Sequence, residues 1–287
     1  MTQAHTFVLD GFVLTGVDEY GVEWTVEESP GWHDGPPMRT ARPQKAQQAG
    51  SWGATGHAGE RIMTFRGKAL AASTAAMEAA ARRLAAVLAS GGMGELVGSS
   101  DYGTLSASVT LEDAPQFDPL TDRIGAWQLT LAAPDPLLYG PPTYGSASLA
   151  SSTPGAGRVW PREWPTDWGI APGTTPGAVS PAPANAGTAA YWPRLRIDGP
   201  VLNPVVTLME TGAWVRYNGE LLAGQWLDWD MANRRVLLQG QVSVREKVTS
   251  SGNWLAIPVS GASITWTADT ADPAALLSVW GYERAVS

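Results

Sequence analysis

A chain of 287 residues with 44% hydrophobic content is long enough for two hydrophobic cores. Its net charge of −8, from 27 acidic and 19 basic residues, gives no general attraction to a phosphate backbone, so sequence-specific nucleic-acid binding is not expected. The absence of cysteine excludes disulfides, thiolate catalysis and cysteine metal sites, while 14 tryptophans in a chain only 16% charged suggest buried cores and protein partners.

The first residues, MTQAHTFVLDGFVLTG, lack a basic stretch followed by a continuous apolar run, and no segment reaches transmembrane length. The expectation is a soluble protein made in the cytoplasm, with no membrane insertion. Phe7 to Leu14 and Val22 to Val26 read as short strands around a glycine-bounded turn, Gly16 to Gly21. From Pro30 to Gly59 periodicity is lost in a proline- and glycine-rich excursion of a length that usually serves function or a partner. Arg39, Arg42 and Lys45 concentrate positive charge there, with Arg61 and Arg66 following, and we read the first three as a candidate subunit-interface loop.

Ile62 to Gly67 reads as a strand. A helix is predicted over about 74–90, capped by Ser73 or Thr74 and ended by Gly91-Gly92, with Met77, Leu84, Val87 and Leu88 on one face. Strands resume at Gly94 to Val97, Leu105 to Leu111 and Ala126 to Ala132, where Trp127, Leu129 and Leu131 alternate with Gln128 and Thr130. Residues 1–139 therefore read as a β-sandwich or barrel bearing one α-helix. Residues 140–184 are rich in proline, glycine and serine and read as a connecting arm; Trp160, Trp164 and Trp168, interleaved with Pro161 and Pro165, mark an extended segment packed on a surface.

Residues 185–287 carry a compact all-β pattern. In Tyr191 to Pro204, Leu195 and Ile197 alternate with Arg194, Arg196 and Asp198, and Gly199-Pro200 and Asn203-Pro204 punctuate the chain. Val205 to Met209 is expected to pair with Trp214 to Tyr217, and Asn218-Gly219 is a strong hairpin signal. Leu221 to Trp229 and Arg235 to Leu238 read as a second hairpin, and Trp254 to Val259, Ser263 to Thr267 and Leu276 to Tyr282 complete the strands of a sandwich or jelly roll.

These residues resemble a siphovirus distal tail protein, or a minor tail protein of the same family. The resemblance runs over nearly the whole chain: Arg61-Ile62 through Gly67 before the helix; Trp127 to Leu131, Asp135-Pro136 and Tyr139-Gly140; Asn185, Gly187, Pro193, Gly199 and Asn203-Pro204; then Gly219-Glu-Leu, Trp229-Asp230, Arg235-Val236 and a closing strand near Leu277. It implies an N-terminal β domain forming a homo-oligomeric, hexameric ring and a C-terminal galectin-like β-sandwich of jelly-roll type. It also implies a place at the phage tail tip, within the virion. The partners would be the tail tube protein, the tape measure protein and a tail hub, tail-associated or fibre protein.

Chemical motifs are sparse. His5, His33 and His57 are scattered with no ligand spacing, and no nucleophile elbow or phosphate loop is present, so no catalytic, cofactor or metal residue is nominated and the chain is read as a non-enzyme. Two alternatives remain. Trp214, Trp229 and Trp254 are candidate sugar-stacking residues of a carbohydrate-binding adhesion module for a host cell-wall glycan. Asp228 and Asp230, with Asp198 or Glu210, are candidate carboxylates of a glycoside hydrolase.

Overall fold

The structure, a computed structural model, describes residues 5–53, 55–149, 177–179, 181–252, 254–270 and 272–287. The chain divides into two compact units, Met1–Gly140 with Val286–Ser287, and Pro141–Ala285. Trp160, Trp164 and Trp168 lie outside the described residues.

The first unit contains β1 (Thr6–Leu9), β2 (Phe12–Val13), β3 (Gly16–Val17), β4 (Glu23–Glu28), β5 (Met38–Arg39), β6 (His57–Ala58) and β7 (Arg61–Leu70). After helix α1 (Thr74–Ala86) come β8 (Gly94–Ser100), β9 (Gly103–Leu111), β10 (Gln116–Pro119), β11 (Ile124–Ala133) and β12 (Leu138–Tyr139). The main sheet runs β2-β1-β8-β9-β11-β7-β4-β3, eight antiparallel strands curling towards a barrel. Its spine is the ten-residue pairing of β7 with β11, from Arg61 opposite Ala133 to Leu70 opposite Ile124. Strict alternation explains the spine: Met63, Phe65 and Ala69 point inward from β7, and Trp127, Leu129 and Leu131 from β11.

The inward residues build an aromatic core in which Phe7 packs edge-on against Phe65 and Trp32, and Trp24 against Trp127. Burying one such indole removes about 150–250 Å² from water, an upper bound of roughly 4–6 kcal/mol. Gly67 marks the irregularity where β4 shifts register between Val26 and Glu28, and a Cβ there would sit 1.7 Å from the Thr25 carbonyl oxygen. Helix α1 is capped by Ser73, whose Oγ accepts from the Ala76 N–H at 3.2 Å, and it buries Met77, Ala80 and Leu84. It stops short of the predicted residue 90. Val87 turns to extended backbone, its N–H bonds back to the Leu84 carbonyl, and Leu88 takes a φ of 50°, so the chain leaves the helix before Gly91-Gly92.

The second unit contains β13 (Pro142–Ser148), β14 (Gly177–Ala178), β15 (Arg194–Asp198), β16 (Val201–Leu202), β17 (Val205–Leu208), β18 (Trp214–Tyr217) and β19 (Glu220–Leu221). It continues with β20 (Trp226–Asp230), β21 (Arg235–Leu238), β22 (Val242–Ser243), β23 (Val248–Ser250), β24 (Ile264–Thr267) and β25 (Leu276–Tyr282); β26 (Ala285–Val286), which follows, belongs to the main sheet of the first unit. One antiparallel sheet has the order β13-β25-β15-β20-β21-β22 and a second β14-β24-β17-β18-β23. Each has one apolar face: Leu195, Ile197, Leu227, Trp229, Leu277 and Val279 on the first, Val206, Leu208, Val215, Ile264 and Trp266 on the second. Both ends of the stretch read from sequence as a connecting arm are strands of these sheets, since β13 pairs with β25 and β14 with β24.

Three local readings change. β17 and β18 pair as expected, but Asn218-Gly219 makes no hairpin: β18 pairs with β23, β19 with β16, and the Asn218 N–H donates to the Lys247 carbonyl. Leu221 to Trp229 is broken by a turn in which the Leu222 N–H donates to Gln225 Oε1. Trp254 to Val259 holds only an isolated bridge between Ile257 and Tyr191.

Asn185 gives one part of the resemblance a physical basis. Its side chain is buried; Nδ2 donates to the Ala189 carbonyl at 2.8 Å, and Oδ1 accepts from the N–H groups of Gly187 and Ala285, both at 3.1 Å. A Cβ on Gly187 would meet the Ala285 carbonyl oxygen at 1.9 Å, so the final strand passes directly over this turn. Asn185→Leu leaves these buried groups unpaired and is expected to destabilise the protein by about 2–4 kcal/mol, measured by urea unfolding.

Candidate interaction surfaces

Residues 36–59 form a ribbon on the first unit. Met38 pairs with Ala58 and Arg39 with His57; a bridge joins Gln44 to Ser51, and backbone bonds run from the Gly59 N–H to Pro37 and from the Trp52 N–H to Pro43. The region read from sequence as an irregular loop is thus a two-stranded arm, its prolines and glycines hiding the period. Arg39 and Arg42 are exposed, and Lys45, half-buried, holds its ammonium 5.3 Å from the Trp52 ring centroid. Met38 and Trp52 are both exposed. The arm has three cationic side chains and no carboxylate, so the remainder of a chain of net charge −8 carries −11.

The base of the arm is fixed by Arg61, which is 2% exposed. Its Nε donates to the Pro136 carbonyl at 2.8 Å, and Nη1 donates to the carbonyls of Gly31 at 3.0 Å, Trp32 and Asp34. Burial pulls this guanidinium below the usual arginine value, with Asp34 opposing. Gly31 completes the junction: its φ is +89°, and a Cβ would sit 2.0 Å from the Ile62 carbonyl oxygen. On the Pro136 side, Asp135 Oδ1 accepts from the Leu137 N–H and Oδ2 from the Tyr139 hydroxyl, so the Asp135-Pro136 and Tyr139 positions form one turn. Arg61 therefore belongs to a buried clamp and not to the exposed basic set.

A second constellation escaped sequence reasoning. Asp18, in the turn read only as glycine-bounded, accepts at Oδ1 from the N–H groups of Tyr20 and Val22, and at Oδ2 from Trp24 Nε1 and Arg83 Nη2, all at 2.9 Å. The Arg83 guanidinium also lies 4.1 Å from the Tyr20 ring centroid. The cluster ties α1 to the β3–β4 turn and lines a groove of about 550 Å³ with Phe12 and Leu88. The structure likewise brings His5 and His33 together, ring centroids 4.9 Å apart, although 28 positions separate them.

In the second unit, Trp229 is 1% and Trp254 5% exposed, and neither offers a ring face to a sugar; Trp214 is half-buried. Trp229 fills the inner face of its sheet because residues 227 and 229 share the core side of β20. Three of the four carboxylates of the hydrolase alternative, Asp198, Glu210 and Asp230, have other work. Asp198 is held by Arg196, and Glu210 Oε1 accepts from the Ser263 N–H at 2.7 Å. Burial favours the neutral form of Asp230, but hydrogen bonds from Asn233 and the charges of Arg235 and Arg194 outweigh it and hold the carboxyl below its usual range, opposite to a general acid.

No protein-family model matches the sequence, and no match is found among curated proteins. Solved structures do match. The crystal structure of phage SPP1 Dit, described as a paradigm of the hub adsorption apparatus in phages infecting Gram-positive hosts, aligns over 99% of each chain with a TM-score of 0.64 at 13% identity. The chain has the Dit fold. The phage P2 baseplate in its activated conformation with Ca also aligns, over 98% of this chain and 99% of that one, with a TM-score of 0.47 at 10% identity. The Dit fold accounts for the mainly β architecture with a single helix in the first unit and further antiparallel sheets in the second.

Asp18 yields a pH prediction. Burial raises its pKa, but the Trp24, Val22 and Tyr20 hydrogen bonds and Arg83 together hold it below the usual carboxylate range. A depressed folded-state pKa contributes stability that is complete above the unfolded value, about 3.9, and is lost as pH falls through the folded value. Urea midpoints are expected to fall on acidification below about pH 4, and Asp18→Asn is expected to flatten that part of the profile.

Proposed function

We propose that this chain is a structural component of a phage tail tip, forming a homohexameric ring that joins the tail tube to the hub and receptor-binding apparatus. The observation that carries this reading is the full-length Dit fold at a TM-score of 0.64. The arm at residues 36–59 supports it. An isolated two-stranded ribbon is marginal in water, yet this one displays Met38 and Trp52 and is anchored through a buried arginine, the arrangement of a segment that gains cover from a neighbour. Its cationic side chains suit a second copy whose remaining surface is acidic.

In this reading Arg39, Arg42 and Lys45 contact the adjacent subunit and set its register, and the ring's partners are the tail tube protein, the tape measure protein and a tail hub, tail-associated or fibre protein. Attraction between exposed charges of opposite sign weakens with salt. Native mass spectrometry is expected to find a hexamer that dissociates as salt is raised, and a monomer of unchanged melting temperature for the double variant Arg39→Glu, Arg42→Glu. A variant that assembles like the parent contradicts the role of the arm.

A further inference from the structure

The outer face of the six-stranded sheet carries side chains that lie outside the arm to which the ring contact is assigned above. Cross-strand register places Tyr144, Trp280, Arg194, Asp230 and Arg235 in one transverse row, and Ser146, Ser278, Arg196, Asp228 and Leu237 in the next. The first row crosses four strand gaps, about 19 Å at the usual spacing. Tyr144 is 50% and Trp280 39% exposed, with ring centroids 5.5 Å apart and planes inclined at 55°, and the Tyr144 hydroxyl lies 3.1 Å from Ser278 Oγ. Two adjoining aromatic rings are thus partly exposed beside small serines.

The polar groups beside them are held in place. Arg196 donates from Nε and Nη2 to the Asp198 carboxylate, with Nη2–Oδ1 at 2.7 Å, and its guanidinium lies 4.7 Å from the Trp226 ring centroid. Nη1 of Arg196 donates to no described residue, and the half-buried Asp228 carboxylate directly opposite accepts from none. The charges on the face balance: Arg194, Arg196 and Arg235 against Asp198, Asp228 and Asp230. Such a balance offers no net attraction to an anionic or cationic ligand. Two aromatic rings at one end of a row whose other three members are charged also lack the contiguous apolar centre of a protein interface. What fits is an uncharged ligand with apolar ring faces and many hydroxyls, longer than a single sugar.

We propose that this face binds a neutral hexose oligosaccharide, laid across the strands with one sugar ring stacked on Trp280, Tyr144 bounding its edge, and its hydroxyls bonded to Arg194, Arg196, Asp228 and Asp230. The site is independent of the ring reading, since it lies wholly in the second unit. It also replaces Trp229 and Trp254, which the core absorbs, with residues the sheet exposes.

The test is binding of the full chain to an immobilised panel of uncharged hexose oligosaccharides, from disaccharide to hexasaccharide, with mass measured on the same samples. Saturable binding is expected, weakened at least about tenfold by Trp280→Ala and by Tyr144→Ala, a loss equivalent to about 1.4 kcal/mol. Trp52→Ala on the arm is expected to leave sugar binding intact while altering assembly, so failures of the two readings are distinguishable. Tyr144 lies on an edge strand, which keeps the test open should the Trp280 variant not fold. Failure of every oligosaccharide to bind, unchanged binding in both variants, or loss of the oligomer in both would each overturn the proposal.

Discussion

Arg61 is the residue on which the first unit turns. It opens β7, an interior strand of the main sheet, and from that position one buried guanidinium gathers carbonyls from residues 31, 32 and 34 on one side and 136 on the other. A buried cation is costly unless its donors are met, and here Nε and Nη1 are met by carbonyls of two chain segments, while Nη2 is buried with no partner among the described residues. The consequence is geometric. The arm at 36–59 leaves and rejoins the sheet at a point fixed by packing, so that its cationic ribbon projects from a defined base although it buries little itself. Gly31 and Gly67 serve the same end, allowing backbone to approach backbone where β4 and its following turn cross β7.

The second unit is organised by alternation rather than by a clamp. Every second residue of β15, β20 and β25 enters the core, and the residues between them form the outer rows of tyrosine, tryptophan, arginine and aspartate. The same period that places Trp229 in the interior therefore places Trp226, Asp228 and Asp230 outside. Asn185 closes this unit by holding the last strand against its first turn, which ties a residue at the start of the C-terminal pattern to one 100 positions later.

Much of this was legible in the sequence where the period was long and clean. Trp127 to Leu131, Arg194 to Asp198 and the Ser73-capped helix all declare themselves locally, because burial on one face leaves a regular trace. The arm was misread as irregular because its pairing is sparse and its residues exposed, so nothing forces alternation. Asn218-Gly219 has the composition of a hairpin turn, but its flanking strands find partners elsewhere in the unit. Arg61 and Asp18 were invisible for another reason: their partners lie up to 75 positions away, and only the fold brings them together. Trp229 and Trp254 illustrate the limit of composition, since tryptophan count cannot distinguish a stacking platform from a core.

The Dit fold spans the chain, the cationic arm is held at its base by Arg61, and the outer face of the six-stranded sheet exposes Tyr144 and Trp280. Immunogold electron microscopy of phage particles from lysates of cells that make this chain, with antibody raised against it, tests the proposed tail-tip role most directly. Label confined to the distal end of the tail is the predicted result; label on the capsid, or particles that carry none, would contradict it.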